Sequence, residues 1–188
     1  MIEIRTHGRG GQGSVIASEI LADAFFREGK FVQAFPAFGV ERRGAPVMAF
    51  TRVSDTEIRE RCQIYHPDHL VVLDAILIET VNITDGLKKG GWILINTGED
   101  MSGSELLKSN NLATVNASKI AIKHGLGSRS APIVNTAIVG AFAAVTGLVS
   151  LDAVQEAIRA FVPMKEGENA AAAKEAYEQV RKIEMKKQ

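Results

Sequence analysis

Residues 7–14 read His-Gly-Arg-Gly-Gly-Gln-Gly-Ser, with four glycines in the six positions from Gly8 to Gly13. Such a run lets the backbone turn at positive φ and aim amide N–H groups at an anion resting on the next helix's N-terminus. Two nucleotide motifs overlap in it. Gly8-x-Gly10-x-x-Gly13 has the spacing of the dinucleotide fingerprint, and Gly8-x-x-x-x-Gly13-Ser14 is a phosphate loop without its lysine. Neither is complete. A dinucleotide site asks for a carboxylate at the end of the following strand, about 20 residues on, to hold the ribose hydroxyls. Here that strand, FVQAF, runs into Pro36, and no carboxylate follows before Glu41. A phosphate loop asks for Lys and then Ser/Thr after the last glycine, and Ser14 stands where the lysine belongs. Arg9 brings charge from an unusual position. Three readings remain open: a nucleotide site, a surface for another anion or a partner, and a tight structural turn.

The stretch Ala34–Val47, AFPAFGVERRGAPV, is the second unusual one. Phenylalanine, proline and glycine suggest a rigid turn that carries Glu41, Arg42, Arg43 and Gly44, and adjacent guanidinium groups clamp phosphates or carboxylates. The alternative is an ordinary surface, one arginine paired with Glu41 and the other solvated. Cys62, His66 and His69, with Asp68 and Asp74, have no closed zinc spacing, and HPDH reads as a turn. Asp74 ends an apolar strand, at the edge where open α/β sheets bind ligands, and equally suits the cap of the next helix. His7 adjoins the glycine run and reads as a hydrogen-bonding spacer rather than a catalyst. No Ser/His/Asp order or carboxylate pair suggests self-contained catalysis.

The elements that position these residues follow from periodicity. Ile2–Thr6 alternates as a strand, and Ser14–Glu28 sets Val15, Ile16, Ile20, Leu21, Ala24 and Phe25 on one helical face, with Gly29 as its stop. Phe31–Phe35 and Pro46–Val53 read as two strands joined by a hairpin or a crossover. HLVVLD, GWILIN and NLATV read as buried strands, with residues 75–91 between the first two as a helix ending at Gly90 and Gly91. Four helices then follow, over 117–126, 131–148, 150–161 and 169–184. Ser130 and Ser150 are their candidate N-caps, Pro132 suits a first turn and Gly147 a stop. The class is α/β, a three-layer α/β/α arrangement with a mainly parallel or mixed central sheet. No linker divides residues 1–188, so one domain is expected.

Charge and composition exclude other classes. Twenty-two basic residues balance 22 acidic ones, so no global field draws nucleic acid or an anionic membrane. No uncharged apolar stretch spans a bilayer and no targeting segment opens the sequence, which makes a soluble, cytoplasmic protein the expectation. Cys62 is the one cysteine, and a cysteine-ligated iron–sulfur cluster usually needs four thiolates.

THGRGGQGSVIASEILADAFFREGKFVQAFPAFGVERRGAPVMAF, continued by HPDHLVVLD, GWILIN and APIVNTAIVGAF, resembles the gamma subunit of pyruvate:ferredoxin oxidoreductase and its branched-chain 2-oxoacid relatives. The resemblance covers nearly the whole chain, and Gly10-Gly11-Gln12-Gly13 with Phe35-Pro36 and Glu41-Arg42-Arg43-Gly44 is its most selective part. It implies a subunit, inactive alone, of a complex that oxidatively decarboxylates a 2-oxoacid, transfers the acyl group to coenzyme A and passes electrons to ferredoxin. Thiamine diphosphate, magnesium and the iron–sulfur clusters would be carried by alpha, beta and delta partners, with no cofactor held by this chain alone. The resemblance associates the gamma part with the coenzyme A step. Gly8, Arg9, Gly10, Gly11, Gln12, Gly13, Glu41, Arg42, Arg43 and Gly44 are then the expected binding residues on an inter-subunit cleft. FGVERRGAPV favours pyruvate or branched-chain substrates over 2-oxoglutarate by resemblance only. A stand-alone nucleotide-binding module and a pure assembly subunit are the rival readings.

Overall fold

The computed structural model describes residues 1–37 and 44–184. Its frame is a seven-stranded mixed sheet. The strands are β1 (Ile2–Arg9), β2 (Phe31–Pro36), β3 (Pro46–Ser54), β4 (His69–Val72), β5 (Trp92–Asn96), β6 (Asn111–Val115) and β7 (Arg181–Ile183), in the order β2-β3-β1-β4-β5-β6-β7. β1, β4, β5 and β6 run parallel, while β3 on β1, β2 on β3 and β7 on β6 are antiparallel. The mixed form of the expected sheet is therefore the one adopted. The open choice between hairpin and crossover resolves as a hairpin, because β2 and β3 are antiparallel neighbours.

Strand alternation sorts side chains between two unequal layers. Ile4, Val71, Leu94 and Ala113 face a deep helical layer. That layer comprises α1 (Ser14–Arg27), α3 (Ala117–Lys123), α4 (Asn135–Thr146), α5 (Leu151–Phe161) and α6 (Glu166–Gln179). Leu70, Val72, Ile93, Ile95 and Leu112 face the opposite side, covered by the single turn α2 (Leu77–Thr80), a 3-10 turn at Glu105–Lys108 and irregular chain. Phe25 and Phe142 lie fully inside the helical layer, each burial stabilising by about 1.5–3 kcal/mol. Ten of the twelve α4 residues are buried, as its uniform Ala/Gly/Val composition suggests.

Several elements differ from the sequence expectation. Residues 75–91 make one helical turn and then leave the helix at Val81 (φ −135°, ψ 140°), because Val81-Asn82-Ile83-Thr84-Asp85 combines β-branched and Asx residues that disfavour helix. Helix α4 starts at Asn135, not Ala131. Gly127 bridges Pro132, and the Ser128 and Ala131 backbones exchange hydrogen bonds of 3.1 and 3.2 Å, so Ser130 tips a small hairpin and caps nothing. The last helix stops at Gln179, and Arg181–Ile183 instead pairs with β6, which brings Ile183 onto the thinner layer. On α1, Ile16 is exposed, and the buried line passes through Ala17, Ser18, Leu21 and Phe25. Gly29 does close α1: its amide donates to Phe26 O at 2.9 Å and that of Lys30 to Phe25 O at 3.2 Å, both bonds of a Schellman cap. Ser150 caps α5 through a 3.2 Å bond from Ala153 N, and Gly147 ends α4 at φ 64°.

Two buried arginines attach the irregular chain to the sheet. Arg5 Nη2 donates to Ile83 O at 2.8 Å and Asp85 O at 2.7 Å. Arg52, 1% exposed, donates to Glu3 Oε1 at 2.9 Å, Gln33 Oε1 at 3.3 Å and Cys62 O at 2.8 Å, with the Phe35 ring centroid 5.3 Å away.

Candidate functional site

β1 runs on through Arg9, so Gly8 is a strand residue and the turn proper is Gly10–Gly13. Space explains two of its glycines. A Cβ on Gly8 would sit 3.1 Å from Ser14 Cβ, and one on Gly13 would sit 2.7 Å from Asn135 Nδ2. Gly13 also holds φ 77°, a left-handed conformation that lets the chain enter α1 without a side-chain cap. No acidic residue lies in the first turn of α1. Its positive end is therefore uncompensated from within that helix. The Gly10 amide donates to Ala45 O at 2.9 Å and that of Gln12 to Arg9 O at 2.9 Å, whereas among the described residues no acceptor meets the Gly11 and Gly13 amides.

Gln12 ties the loop to the sheet. Its Oε1 accepts from Arg9 N at 2.7 Å and its Nε2 donates to Asp74 Oδ2 at 2.8 Å. Arg9 Nη2 lies 2.5 Å from the same carboxylate oxygen, while Asp74 Oδ1 accepts from Ile76 N at 3.1 Å. Asp74 thus stands at the strand's carboxyl end and closes a turn onto Ile76, while α2 itself, whose N-cap is Ile76, has no side-chain cap. Burial raises its pKa, but the bonds from Gln12 and Ile76 and the Arg9 charge outweigh that and hold it below the ordinary carboxylate value. Arg9 is largely neutralised by Asp74, and its Nε is buried without a partner among the described residues. Asp74→Asn is expected to cost about 1 kcal/mol at neutral pH, a charged hydrogen bond discounted for partial exposure. Because the folded pKa lies below the unfolded one, that difference shrinks as pH falls through the carboxylate range. Urea titrations of both forms at neutral and acid pH check it.

These groups line a cleft of about 1020 Å³ at the carboxyl ends of the parallel strands. Asn96, Ser118, Asn135 and residues 130–134 of the hairpin also line it, and sequence reading missed all of them as site residues. Asn96 alone had a signal, its place at a strand's carboxyl end beside Asp74. It locks the floor, with Nδ2 donating to Leu73 O at 2.9 Å and Ser118 Oγ at 3.0 Å. Gly44 meets the glycine turn, its amide donating to Gly10 O at 3.1 Å. Glu41, Arg42 and Arg43 lie outside the described residues.

His7 stands behind the turn, 3% exposed, and accepts a 3.0 Å bond from Arg5 Nε. Burial first, then the Arg5 charge, lowers its pKa to about 3, so it is neutral at physiological pH and no proton shuttle. A lowered folded pKa means that the unfolded chain takes up this proton first. Stability is therefore expected to fall by about 1.4 kcal/mol per pH unit below the unfolded value of about 6.5. Urea midpoints at about pH 6.5 and pH 5 should show a smaller drop for His7→Gln than for the parent. Of the considered metal ligands, His69 Nδ1 accepts from Trp92 N at 3.2 Å and Cys62 Sγ lies 3.6 Å from Arg52 Nη2. Among the described residues no three His, Cys, Asp or Glu side chains gather to hold a metal ion. Nor is any described helix long and apolar enough to cross a membrane.

The sequence profile of a family described as pyruvate ferredoxin/flavodoxin oxidoreductase matches residues 3–179. The chain belongs to that family. It is 55% identical to pyruvate synthase subunit PorC of Methanocaldococcus jannaschii, covering 97% of this chain and 98% of the relative. It is 56% identical to the common subunit gamma of the pyruvate/ketoisovalerate oxidoreductases of Thermococcus kodakarensis, covering 94% and 96%. The crystal structure of pyruvate oxidoreductase subunit PORC from Thermotoga maritima superposes with a TM-score of 0.79 at 36% identity, covering 97% of this chain and 98% of that one. Family membership displaces the stand-alone nucleotide module as a reading of the glycine turn.

Proposed function

We propose that the chain is the gamma subunit of a multi-subunit 2-oxoacid:ferredoxin oxidoreductase acting on pyruvate. The complex converts pyruvate, coenzyme A and two oxidised ferredoxins to acetyl-CoA, carbon dioxide, a proton and two reduced ferredoxins. The observation that carries this reading is identity above 50%, over nearly the full length of both chains, to subunits named for that activity. One of those relatives is a subunit common to a pyruvate and a ketoisovalerate enzyme. By analogy, substrate choice resides in the alpha and beta partners, which with delta would complete the assembly in the cytoplasm. A single cysteine supports assigning the iron–sulfur clusters to other subunits.

Within the assembly, the glycine-turn cleft is the face this chain turns to its partners and to coenzyme A. The free Gly11 and Gly13 amides at the uncompensated α1 terminus suit a phosphate oxygen, so the donor set fits coenzyme A's pyrophosphate end. Coenzyme A supplies the thiol that accepts the acyl group. Gly10–Gly13 orient the ligand through backbone groups, and Asp74 keeps Arg9 from over-binding the anion. In this reading Arg42 and Arg43 supply the positive charge that a pyrophosphate requires.

Affinity purification from the native cell tests the subunit assignment: alpha, beta and delta partners and pyruvate-dependent ferredoxin reduction should co-purify. Recovery of the chain alone, or with a complex that ignores pyruvate, overturns it. In the reconstituted complex, Arg42→Ala/Arg43→Ala should raise the KM for coenzyme A. Unchanged coenzyme A kinetics and unchanged assembly would sink the cleft assignment while leaving the subunit assignment intact.

A further inference from the structure

The sheet ends in β2 on one side and β7 on the other, and the two edges are guarded unequally. β7 is three residues long and carries Arg181 and Lys182, the short cationic form that discourages a further strand. β2 has six residues, FVQAFP, and no charge among them. Its outward groups follow from register. The Ala37 amide donates to Met48 O at 2.9 Å in continuation of the antiparallel pairing, so odd-numbered residues bond inward to β3. Val32 and Ala34 then turn their N–H and C=O groups outward, and Pro36 takes the next outward position, where its missing N–H disturbs no ladder bond. Among the described residues no partner meets the Val32 and Ala34 backbone groups. A groove of about 610 Å³ runs beside Gln33, Ala34 and Phe35, with residues 57–61 as its other wall.

We infer that this edge pairs with the same edge of a second copy of the chain, β2 antiparallel to β2 about a two-fold axis. The sequence of the strand is self-complementary in that register. Val32 faces Ala34 of the second copy, closing four backbone hydrogen bonds, and Gln33 meets its own counterpart on the axis. Phe31, 49% exposed, falls opposite Phe35 of the second copy on one face of the joined sheet, an aromatic cross-strand pair. On the groove wall Arg59 pairs with Glu57 within the chain at 3.3 Å, which leaves Glu60 and Arg61, one charge of each sign, to meet their opposites across a two-fold. This pairing lies at the sheet's edge and stands whether or not the cleft receives coenzyme A.

The test uses the full chain. Sedimentation equilibrium should show a dimer whose dissociation constant rises at least about tenfold in Ala34→Pro, which removes an outward donor, and in Phe31→Lys, which charges the edge. Circular dichroism and melting temperature should stay close to the parent in both. In a Cys62→Ser background, Gln33→Cys should cross-link to a dimer on oxidation, since non-hydrogen-bonded pairs on an axis have Cα atoms about 4.5 Å apart. A chain that is monomeric throughout, or a dimer indifferent to both edge substitutions, overturns the pairing. So does a monomer in which the same substitutions block joining the other subunits, because the edge then serves a different chain.

Discussion

Gly140→Ala is expected to lower the melting temperature by about 6–12 °C, the equivalent of about 3 kcal/mol in a chain of this size. Gly140 lies where α4 crosses α6. A Cβ there would meet Ala173 O at 2.1 Å, its carbonyl carbon at 2.6 Å and its Cα at 2.7 Å. All three are backbone atoms, so no rotamer change relieves the clash and the helices must separate. Alanine's better helix propensity returns only about 1 kcal/mol. Gly167→Ala, on α6 with nothing within 4 Å of its added Cβ, isolates that propensity gain and should stabilise slightly. Thermal unfolding of both variants checks the pair. Equal melting temperatures would mean that the crossing is looser than its geometry implies.

Gly13→Ala should be the more damaging change for activity. The left-handed backbone at φ 77° costs an alanine about 1–2 kcal/mol. The Cβ contact with Asn135 adds to this, because the buried Asn135 amide must give way and its Oδ1 accepts from Thr136 N at 2.9 Å. A total of about 2–4 kcal/mol is expected, with assembled-complex turnover falling further as the turn and the α4 terminus are forced apart. Gly11→Ala separates the two causes, since it shares the positive φ at 93° but meets no atom within 4 Å. Asn135→Ala should recover part of the Gly13→Ala loss in a double-mutant cycle. Strict additivity would refute the contact.

The parallel strands and the α1 helix were legible because their signals are local: period-two or near-continuous apolar runs, and a 3.6 period closed by Gly29. The hairpin of β2 and β3 was not decidable, since the connection of residues 37–45 is too long to carry a two-residue hairpin turn signature. The 75–91 segment misled because Leu77 and Leu87 keep an apolar spacing that the intervening β-branched and Asx residues cannot hold in a helix. For the site, glycine chemistry pointed to the turn and strand position pointed to Asp74. Their junction through Gln12 and Arg9 was invisible, because Gln12 and Asp74 stand 62 residues apart and only the β1–β4 pairing brings them together. Asn135 was missed for a related reason. Its value lies in lying over Gly13, a fact of helix placement rather than of residue type.

Arg5 and Arg52 grip the thin side of the molecule by main-chain oxygens: Ile83 and Asp85 for one, Cys62 and Gln63 for the other. A carbonyl is offered by every amino acid. The anchored stretches can therefore drift freely in residue identity while their lengths stay fixed, since an insertion would move the oxygens out of reach. Homologous chains should vary in spelling at 62–63 and 83–85 yet align there without gaps. An enzyme family could in this way change the chemistry of one broad surface without touching the sheet that carries it.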